Sequence, residues 1–426
     1  MHVLVVHNRY ASAQPSGENR VVDEEVGLLR AAGHRVEVFE RRSDDIAGRS
    51  LLGKVAVPLL VPWNPAVRTE LAARLRADRP DVVHVHNVFP LLSPAVLAAC
   101  ADAGVPVVAT LHNYTQVCPP GTLHRDGRPC GECVGSAVPL PAVRHGCYRN
   151  SRLATVPLAV GLAVNRRRWW SGVDRFLCIS AAQRDVLVRS GMPADRLVVK
   201  HNFVPEPGVR RTNAGEHLLF LGRLAEPKGV RLLMDAWDAV AADGGVGVPL
   251  VLAGAGPLEP EVTAWAAGRD DVRYAGLYDP AACREAVAKA VAVVAPSLSR
   301  ETFGLVVAEA MAAGVPAVAA GHGAFVELVE DGVTGLLHRP GEAGSLVECL
   351  RRITAGPERN RAMGRAARSR YEQGFGPDVG LARLLEEYRS AIADRSGGGN
   401  SAPPVGNDNA GSRRGTRAGG DGGQEK

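Results

Sequence analysis

Short runs of valine, isoleucine and leucine alternate with amphipathic segments along the first half of the chain. The apolar runs are VLVVH (3–7), RVEVF (35–39), VVHVH (82–86), PVVAT (106–110), RFLCIS (175–180) and LVVKH (197–201). Strands buried on both faces of a parallel sheet are apolar throughout, and helices cross between them. The first half therefore predicts a parallel sheet wrapped by helices.

The alternation stops in the polar stretch FVPEPGVRRTNAGEH (203–217) and then restarts. The later apolar runs are LLFLG, PLVLAG, VRYAG, AVVAPS and PAVAAG. We therefore predict an α/β protein with two doubly wound, Rossmann-like domains, residues 1–205 and 212–376, facing across a cleft. A C-terminal helix is predicted over 377–395. The glycine-rich segment 396–426 is predicted to be disordered.

Composition agrees with two ordinary globular domains. The chain has 426 residues, of which 46% are hydrophobic and 22% charged. This length exceeds the size at which single cores usually stop growing. The net charge of +5 is mild, and no RNA- or DNA-binding module is present, so we expect no nucleic-acid partner.

The N-terminus opens directly into HVLVVH, without a basic leader or a cleavage signal. A cytoplasmic location is therefore expected. The apolar segment LATVPLAVGLAV (153–164) is shorter than the roughly 18 residues that span a bilayer, and it runs into RRRWW. It is either a peripheral helix at the inner face of the membrane or a buried helix with a solvated basic end.

The stretch SRETFGLVVAEAMAAGVP (299–316) carries the first candidate chemistry. It predicts a loop holding Glu301, a turn at Phe303, Gly304 and Leu305, and a helix holding Glu309. Free backbone amides at the start of a helix bind anions. Carboxylates accept hydrogen bonds from sugar hydroxyls. A sugar at Glu301, a diphosphate at the turn and a ribose at Glu309 would form one nucleotide-sugar. The alternative is that Glu301 is an ordinary acid at a helix start and Glu309 a solvated one.

A second candidate is LGRLAEPKGV (221–230), in which a strand is followed by Arg223 and then by Lys228 at a helix start. Arginine offers a fork to phosphate oxygens and lysine a mobile point charge. The pair can therefore stabilise a diphosphate leaving group without a metal ion. The alternative is that both are ordinary surface cations.

Together with AGAGP (253–257) and MAAGVP, these residues resemble the retaining glycosyltransferases of family 4, which have the GT-B fold. The resemblance implies that Glu301 contacts the donor sugar, Glu309 the ribose, and Arg223, Lys228 and the turn amides the diphosphate. It places Gly254 and Gly256 near the base, Gly17 at a close-approach loop, and His112 beside the donor sugar or acceptor. The family's glycine pair reads Ser16-Gly17 here.

The reaction implied by the resemblance is transfer of a hexose-type sugar from a UDP-, GDP- or ADP-sugar to a glycan or lipid-linked acceptor. The departing diphosphate would take the acceptor's proton, and catalysis would need no cofactor. We expect a role in polysaccharide or glycoconjugate biosynthesis. The alternatives are a GT-B sugar-nucleotide epimerase and a non-catalytic nucleotide-sugar-binding protein.

An insertion over about 113–150 contains the C-x2-C pair Cys130 and Cys133, with Cys118 before it and Cys147 after it. Four thiolates can enclose a tetrahedral zinc ion. His124 or His145 could replace one sulfur atom. The insertion therefore holds either a structural zinc or reduced thiols in a loop rich in proline and glycine.

Overall fold

The computed structural model describes residues 1–12 and 16–397. Two parallel six-stranded sheets organise this part of the chain. The first sheet has the order β2-β1-β3-β4-β7-β8 and consists of β1 (His2–Arg9), β2 (Arg35–Arg42), β3 (Val82–Val85), β4 (Val107–Leu111), β7 (Arg175–Cys178) and β8 (Leu197–Val199). The second has the order β11-β10-β9-β12-β13-β14 and consists of β9 (His217–Leu221), β10 (Leu250–Ala253), β11 (Val272–Tyr274), β12 (Ala290–Ala295), β13 (Ala317–Ala320) and β14 (Gly335–His338).

Helices cover both faces of each sheet. Those of the first half are α1 (Gly17–Ala31), α2 (Leu51–Leu60), α3 (Pro65–Ala77), α4 (Ala95–Asp102), α5 (Leu140–His145), α6 (Arg152–Gly172) and α7 (Ala181–Arg189). Those of the second half are α8 (Val230–Ala242), α9 (Glu259–Ala266), α10 (Pro280–Ala288), α11 (Leu305–Ala312), α12 (Phe325–Leu328), α13 (Ala343–Thr354), α14 (Pro357–Gly374) and α15 (Pro377–Gly397). The predicted α/β class with two Rossmann-like domains is confirmed.

The local sequence explains where α1 begins and which face it buries. The Ser16 hydroxyl accepts a hydrogen bond from the amide of Asn19 at 3.3 Å, as expected of an N-cap. Val22, Val26 and Leu29 then return at helical spacing and are buried against the first sheet. This arrangement points the start of α1, and with it Gly17, toward the second domain.

The last helix, α15, returns to the first domain. Leu384, Tyr388 and Ala391 are buried with Val3 and Val5 in the core of the first sheet. The C-terminal helix predicted over 377–395 extends in the structure to Gly397. The predicted disordered tail, 396–426, lies outside the described residues apart from its first two positions.

The insertion after β4 is built on a small hairpin, β5 (His124–Arg125) and β6 (Arg128–Pro129), followed by α5. Its two-residue turn is Asp126-Gly127, and both residues have positive φ, 51° and 73°. That is the geometry of a type I′ turn, which the Asp-Gly sequence favours. The insertion packs on the first domain beside the carboxyl end of β4, where Val117 and Leu123 are buried in the same cluster as Trp169.

Candidate functional site

The carboxyl ends of both sheets face one cleft of about 1240 Å³. Residues that follow β4, β9, β10 and β12 line it, as expected for ligand sites in open parallel sheets. The predicted site residues found in its wall are Gly17, His112, Arg223, Lys228, Gly254, Gly256, Glu301, Phe303, Gly304, Leu305 and Glu309. The structure thus brings together all the predicted residues other than the cysteines.

Glu301 is held by two donors at the floor of the cleft. Lys228 Nζ donates to Glu301 Oε1 at 2.7 Å, and Ser297 Oγ donates to the same oxygen at 2.7 Å. Burial acts to raise the pKa of Glu301, but the Lys228 charge and these hydrogen bonds outweigh it and lower the pKa below its usual value. Glu301 is therefore a carboxylate in the neutral pH range.

The turn before α11 presents free amides to the cleft. Within the described part of the chain, the N–H groups of Phe303, Gly304 and Leu305 donate no hydrogen bond. Gly304 has φ of 95°, and a Cβ there would lie 2.4 Å from Cε1 of Phe325. Glycine is thus required for this turn, which aims the positive end of the α11 dipole into the cleft.

A second glycine turn lies on the same side of the cleft, after β10 of the second sheet. A Cβ on Gly254 would lie 1.9 Å from the carbonyl oxygen of Gly222, and one on Gly256 would lie 2.4 Å from that of Leu224. The two chain segments are therefore in direct backbone contact. Arg223 lies between Gly222 and Leu224 in this contact. Its side chain is exposed in the cleft and forms no salt bridge within residues 1–12 and 16–397.

Glu309 lies one turn into α11 and forms an ion pair with Arg20 of α1. Arg20 Nε also lies 3.5 Å from Oε1 of Glu24, one turn along α1. A Cβ on Gly17 would lie 2.9 Å from Cδ1 of Leu305. The start of α1 therefore contacts the start of α11, and the two domains meet at this point.

His112 directly follows β4 and is held by contacts on two sides. Its Nε2 lies 2.9 Å from Nδ1 of His86, and its carbonyl oxygen accepts a hydrogen bond from Thr302 Oγ1 at 2.9 Å. Burial lowers the pKa of His112 to about 3. The imidazole is therefore neutral at physiological pH, and it can donate a hydrogen bond to a sugar hydroxyl or accept one from it.

Behind His112 lies a buried polar network that sequence reasoning missed. Glu25 accepts a hydrogen bond from Lys200 Nζ at 2.6 Å, and its other oxygen lies 3.1 Å from Nδ1 of His84 and 3.6 Å from Nε2 of His86. Tyr388 of α15 contacts His84 at 2.6 Å. His84 and His86 are both buried. Glu25 could have been recognised from the sequence as a charged residue on the apolar, buried face of α1.

Glu18, also unpredicted, lines the cleft beside Gly17. Its Oε2 lies 3.3 Å from the Tyr10 hydroxyl, while its Oε1 is shielded from solvent without a hydrogen-bond partner among the described residues. Burial raises the pKa of Glu18 to about 8. A largely protonated carboxyl group thus faces the first-domain side of the cleft at neutral pH.

The four cysteines of the insertion do not form a closed metal site. Among the described residues, no three of Cys118, Cys130, Cys133 and Cys147, with or without a histidine, place their ligand atoms within 4.8 Å of one another. A zinc tetrahedron with sulfur ligands needs edges of about 3.8 Å. Burial raises the pKa of Cys133 to about 11. The zinc site stays a prediction that these sulfur positions do not favour.

Comparison with known proteins finds family models in both halves. Residues 15–206 match Glycosyltransferase Family 4, and residues 215–355 match Glycosyl transferases group 1. A D-inositol 3-phosphate glycosyltransferase of Streptomyces coelicolor is 31% identical, over 92% of this chain and 90% of the relative. A phosphatidyl-myo-inositol mannosyltransferase of Mycobacterium leprae is 27% identical, over 80% and 84%.

Solved structures share the fold. HepE from Anabaena, crystallised in complex with UDP, has a TM-score of 0.62 at 20% identity and covers 92% of this chain and 100% of its own. Sucrose-phosphate synthase from Thermosynechococcus elongatus has a TM-score of 0.66 at 19% identity, over 92% and 99%. At this level of identity the likeness concerns the arrangement of the two domains.

Proposed function

The chain belongs to glycosyltransferase family 4, and from this premise we propose that it transfers a hexose-type sugar from a nucleoside-diphosphate donor to a glycan or lipid-linked acceptor. The anomeric configuration of the sugar is retained. Family members with this fold generally need no cofactor for catalysis. We also propose a cytoplasmic role in polysaccharide or glycoconjugate biosynthesis.

One observation carries the proposal. A single cleft holds a sugar-hydroxyl acceptor at Glu301, free amides at residues 303–305 and two cations, Arg223 and Lys228. Each of these groups complements one part of a nucleotide-sugar: the carboxylate complements the sugar hydroxyls, and the amides and cations complement the diphosphate. The spacing from Glu301 through the turn to Glu309 follows the order sugar, diphosphate and ribose.

In the proposed reaction the bond between the sugar's anomeric carbon and the diphosphate oxygen breaks, and the acceptor oxygen bonds to the same face of that carbon. The acceptor's proton passes to the departing diphosphate. We propose that Arg223, Lys228 and the amides before α11 stabilise the negative charge that grows on the leaving group. Fixed dipoles aimed at developing charge are usually the largest catalytic contribution.

On the first-domain side, the neutral His112 lines the same cleft. Its position depends on His86 behind it and on Thr302 from the second domain. Because Thr302 of the second domain donates a hydrogen bond to the His112 carbonyl oxygen, the position of His112 depends on how closely the two domains approach each other. We propose that His112 contacts the donor sugar or the acceptor hydroxyl.

The donor is tested by screening UDP-, GDP- and ADP-glucose for an increase in melting temperature, followed by calorimetry, because a ligand that binds only the native state stabilises it. Arg223→Met and Glu309→Gln should each lower donor affinity by about 10-fold or more, since each removes a charge-assisted hydrogen bond of about 1.5–3 kcal/mol. Arg339→Met and Glu342→Gln, on the exposed surface of the same domain, are the matched controls.

Equal donor affinity in the site variants and the controls would overturn the assignment of the cleft. The same assays distinguish the two alternative functions, a nucleotide-sugar-binding protein and a sugar-nucleotide epimerase. A binding protein would retain donor affinity and release no nucleoside diphosphate with any acceptor or with water. An epimerase would convert the sugar while leaving the nucleotide-sugar intact.

A further inference from the structure

Two helices of the first domain, α2 and α6, present large apolar side chains to solvent. Leu52 is 83% exposed and Leu153 is 86% exposed. The exposed apolar residues on these helices are Leu51, Leu52, Val55, Leu59, Leu153, Val156, Val160 and Val164, here called the α2–α6 face. Single exposed leucines are ordinary, but a group of this size on neighbouring helices indicates an interaction surface.

Helix α6 presents a row of apolar side chains to solvent, in addition to burying Trp169 against the first domain. Its exposed residues Leu153, Val156, Val160 and Val164 recur at intervals of three and four, so they share one face. The residues it turns toward the protein are Thr155, Ala159, Gly161, Asn165 and Trp169. A helix that buries threonine and asparagine and exposes valines has its apolar face available for a partner.

The two helices are in contact. Asn165 Nδ2 donates a hydrogen bond to the carbonyl oxygen of Pro62, just after α2, at 2.8 Å. A Cβ on Gly161 would lie 3.5 Å from Cα of Pro62. The Arg168 guanidinium stacks on Trp63 at 4.5 Å. The apolar residues of α2 and α6 therefore belong to one region of the first domain.

The two chain segments that form this region carry only cationic charge. No aspartate or glutamate occurs between Asp45 and Glu70, or between Glu132 and Asp174. The basic residues in these segments are Arg49, Lys54, Arg68, Arg144, Arg149, Arg152, Arg166, Arg167 and Arg168. Of these, Lys54, Arg144, Arg149, Arg152 and Arg167 are exposed and form no salt bridge within the described residues. Cations beside exposed apolar side chains complement the phosphates and acyl chains of an anionic bilayer.

We propose that the α2–α6 face docks on an anionic bilayer surface. The leucines and valines enter the boundary between headgroups and acyl chains, and the surrounding cations contact lipid phosphates. No helix in residues 1–12 and 16–397 has the length and hydropathy to cross a membrane, so the helices lie along the surface. A second copy of the chain fits less well, because a symmetric dimer would bring the unpaired cations against one another.

The proposal bears on the lipid-linked acceptor of the proposed function, but it is tested without any sugar donor, so the two can fail separately. The full chain is sedimented with vesicles of phosphatidylcholine alone and of phosphatidylcholine with phosphatidylglycerol. We expect binding to the anionic vesicles that weakens with added salt. Leu52→Asn combined with Leu153→Asn should lower the partition coefficient by about tenfold or more.

The matched control is Val333→Asn combined with Val379→Asn, which changes two exposed apolar residues elsewhere on the chain. It should bind as the unchanged protein does, and both double variants should keep the circular dichroism spectrum. Binding that is absent, equal on both vesicles, or unaffected by the Leu52 and Leu153 substitutions overturns the proposal. Lipid-free dimers in sedimentation velocity that these substitutions dissociate would assign the face to a second copy instead.

Discussion

Replacing Lys200 with methionine tests the polar network behind His112. Lys200 Nζ lies 2.6 Å from Glu25 Oε2, and both side chains are almost completely buried. The substitution keeps the volume of the side chain but leaves the Glu25 carboxylate in the core without its cation. Breaking a buried pair in this way costs about 3–5 kcal/mol of unfolding free energy.

The effect should depend on pH. In the unchanged protein burial acts to raise the pKa of Glu25, but Lys200 and the neighbouring His84 and His86 hold it well below its usual value. Its contribution is therefore complete above the unfolded-state pKa of about 4.5 and constant between pH 5 and 8. Without Lys200 the pKa of Glu25 rises, so the folded variant binds a proton and loses stability as pH increases over that range.

Urea unfolding followed by circular dichroism at pH 5 and pH 8 measures both effects. The loss caused by Lys200→Met should be larger at pH 8. A double variant, Glu25→Leu with Lys200→Met, should recover most of it, since an apolar pair of similar volume often matches a buried ion pair. A single-variant loss below about 1 kcal/mol at both pH values, or a double variant as unstable as the single one, would show that Lys200 does not compensate a buried Glu25 carboxylate.

Three further predictions concern single positions. Gly304→Ala should lower both stability and donor affinity, because its φ of 95° disfavours any Cβ and Phe325 blocks the space; calorimetry showing unchanged donor affinity would contradict this. Glu18→Gln should gain in melting temperature relative to the unchanged protein as pH rises from 5 to 8, since folding raises the pKa of Glu18 to about 8 and proton loss then favours the unfolded chain; a constant difference would count against it. Leu384→Ala should cost about 2–5 kcal/mol by leaving a cavity under α15, and a loss below about 1 kcal/mol in urea unfolding would show that α15 is not tightly packed on the first sheet.

The first sheet was accessible from sequence because its strands contain runs of β-branched and apolar residues, which in β2 alternate with charged ones. All six predicted runs coincide with β1, β2, β3, β4, β7 and β8. In the second sheet β14 was missed, since Gly335–His338 is four residues long and opens on a glycine. The placement of α15 on the first sheet was also missed, because helical periodicity gives a buried face but not the distant element that covers it.

The candidate site shows the same division. Residues next to a strand end, such as Arg223 and Glu301, were predicted because chain order places them at the cleft edge. Glu25 and Lys200 are 175 residues apart, and no local pattern pairs them. The pairing of Glu309 with Arg20 likewise depends on how the two domains meet, which a single sequence does not encode.

Metal-free, retaining sugar transfer is tested by following the donor by proton NMR, with water as the acceptor and excess EDTA present. Of UDP-, GDP- and ADP-glucose, the α-linked donor that raises the melting temperature most is incubated with the protein, and the melting temperature is checked to be unchanged by EDTA. We expect cleavage to continue and the first sugar formed to be the α anomer. Cleavage that requires added magnesium or manganese, or a first product that is the β anomer, would contradict a metal-free, retaining transfer in this cleft.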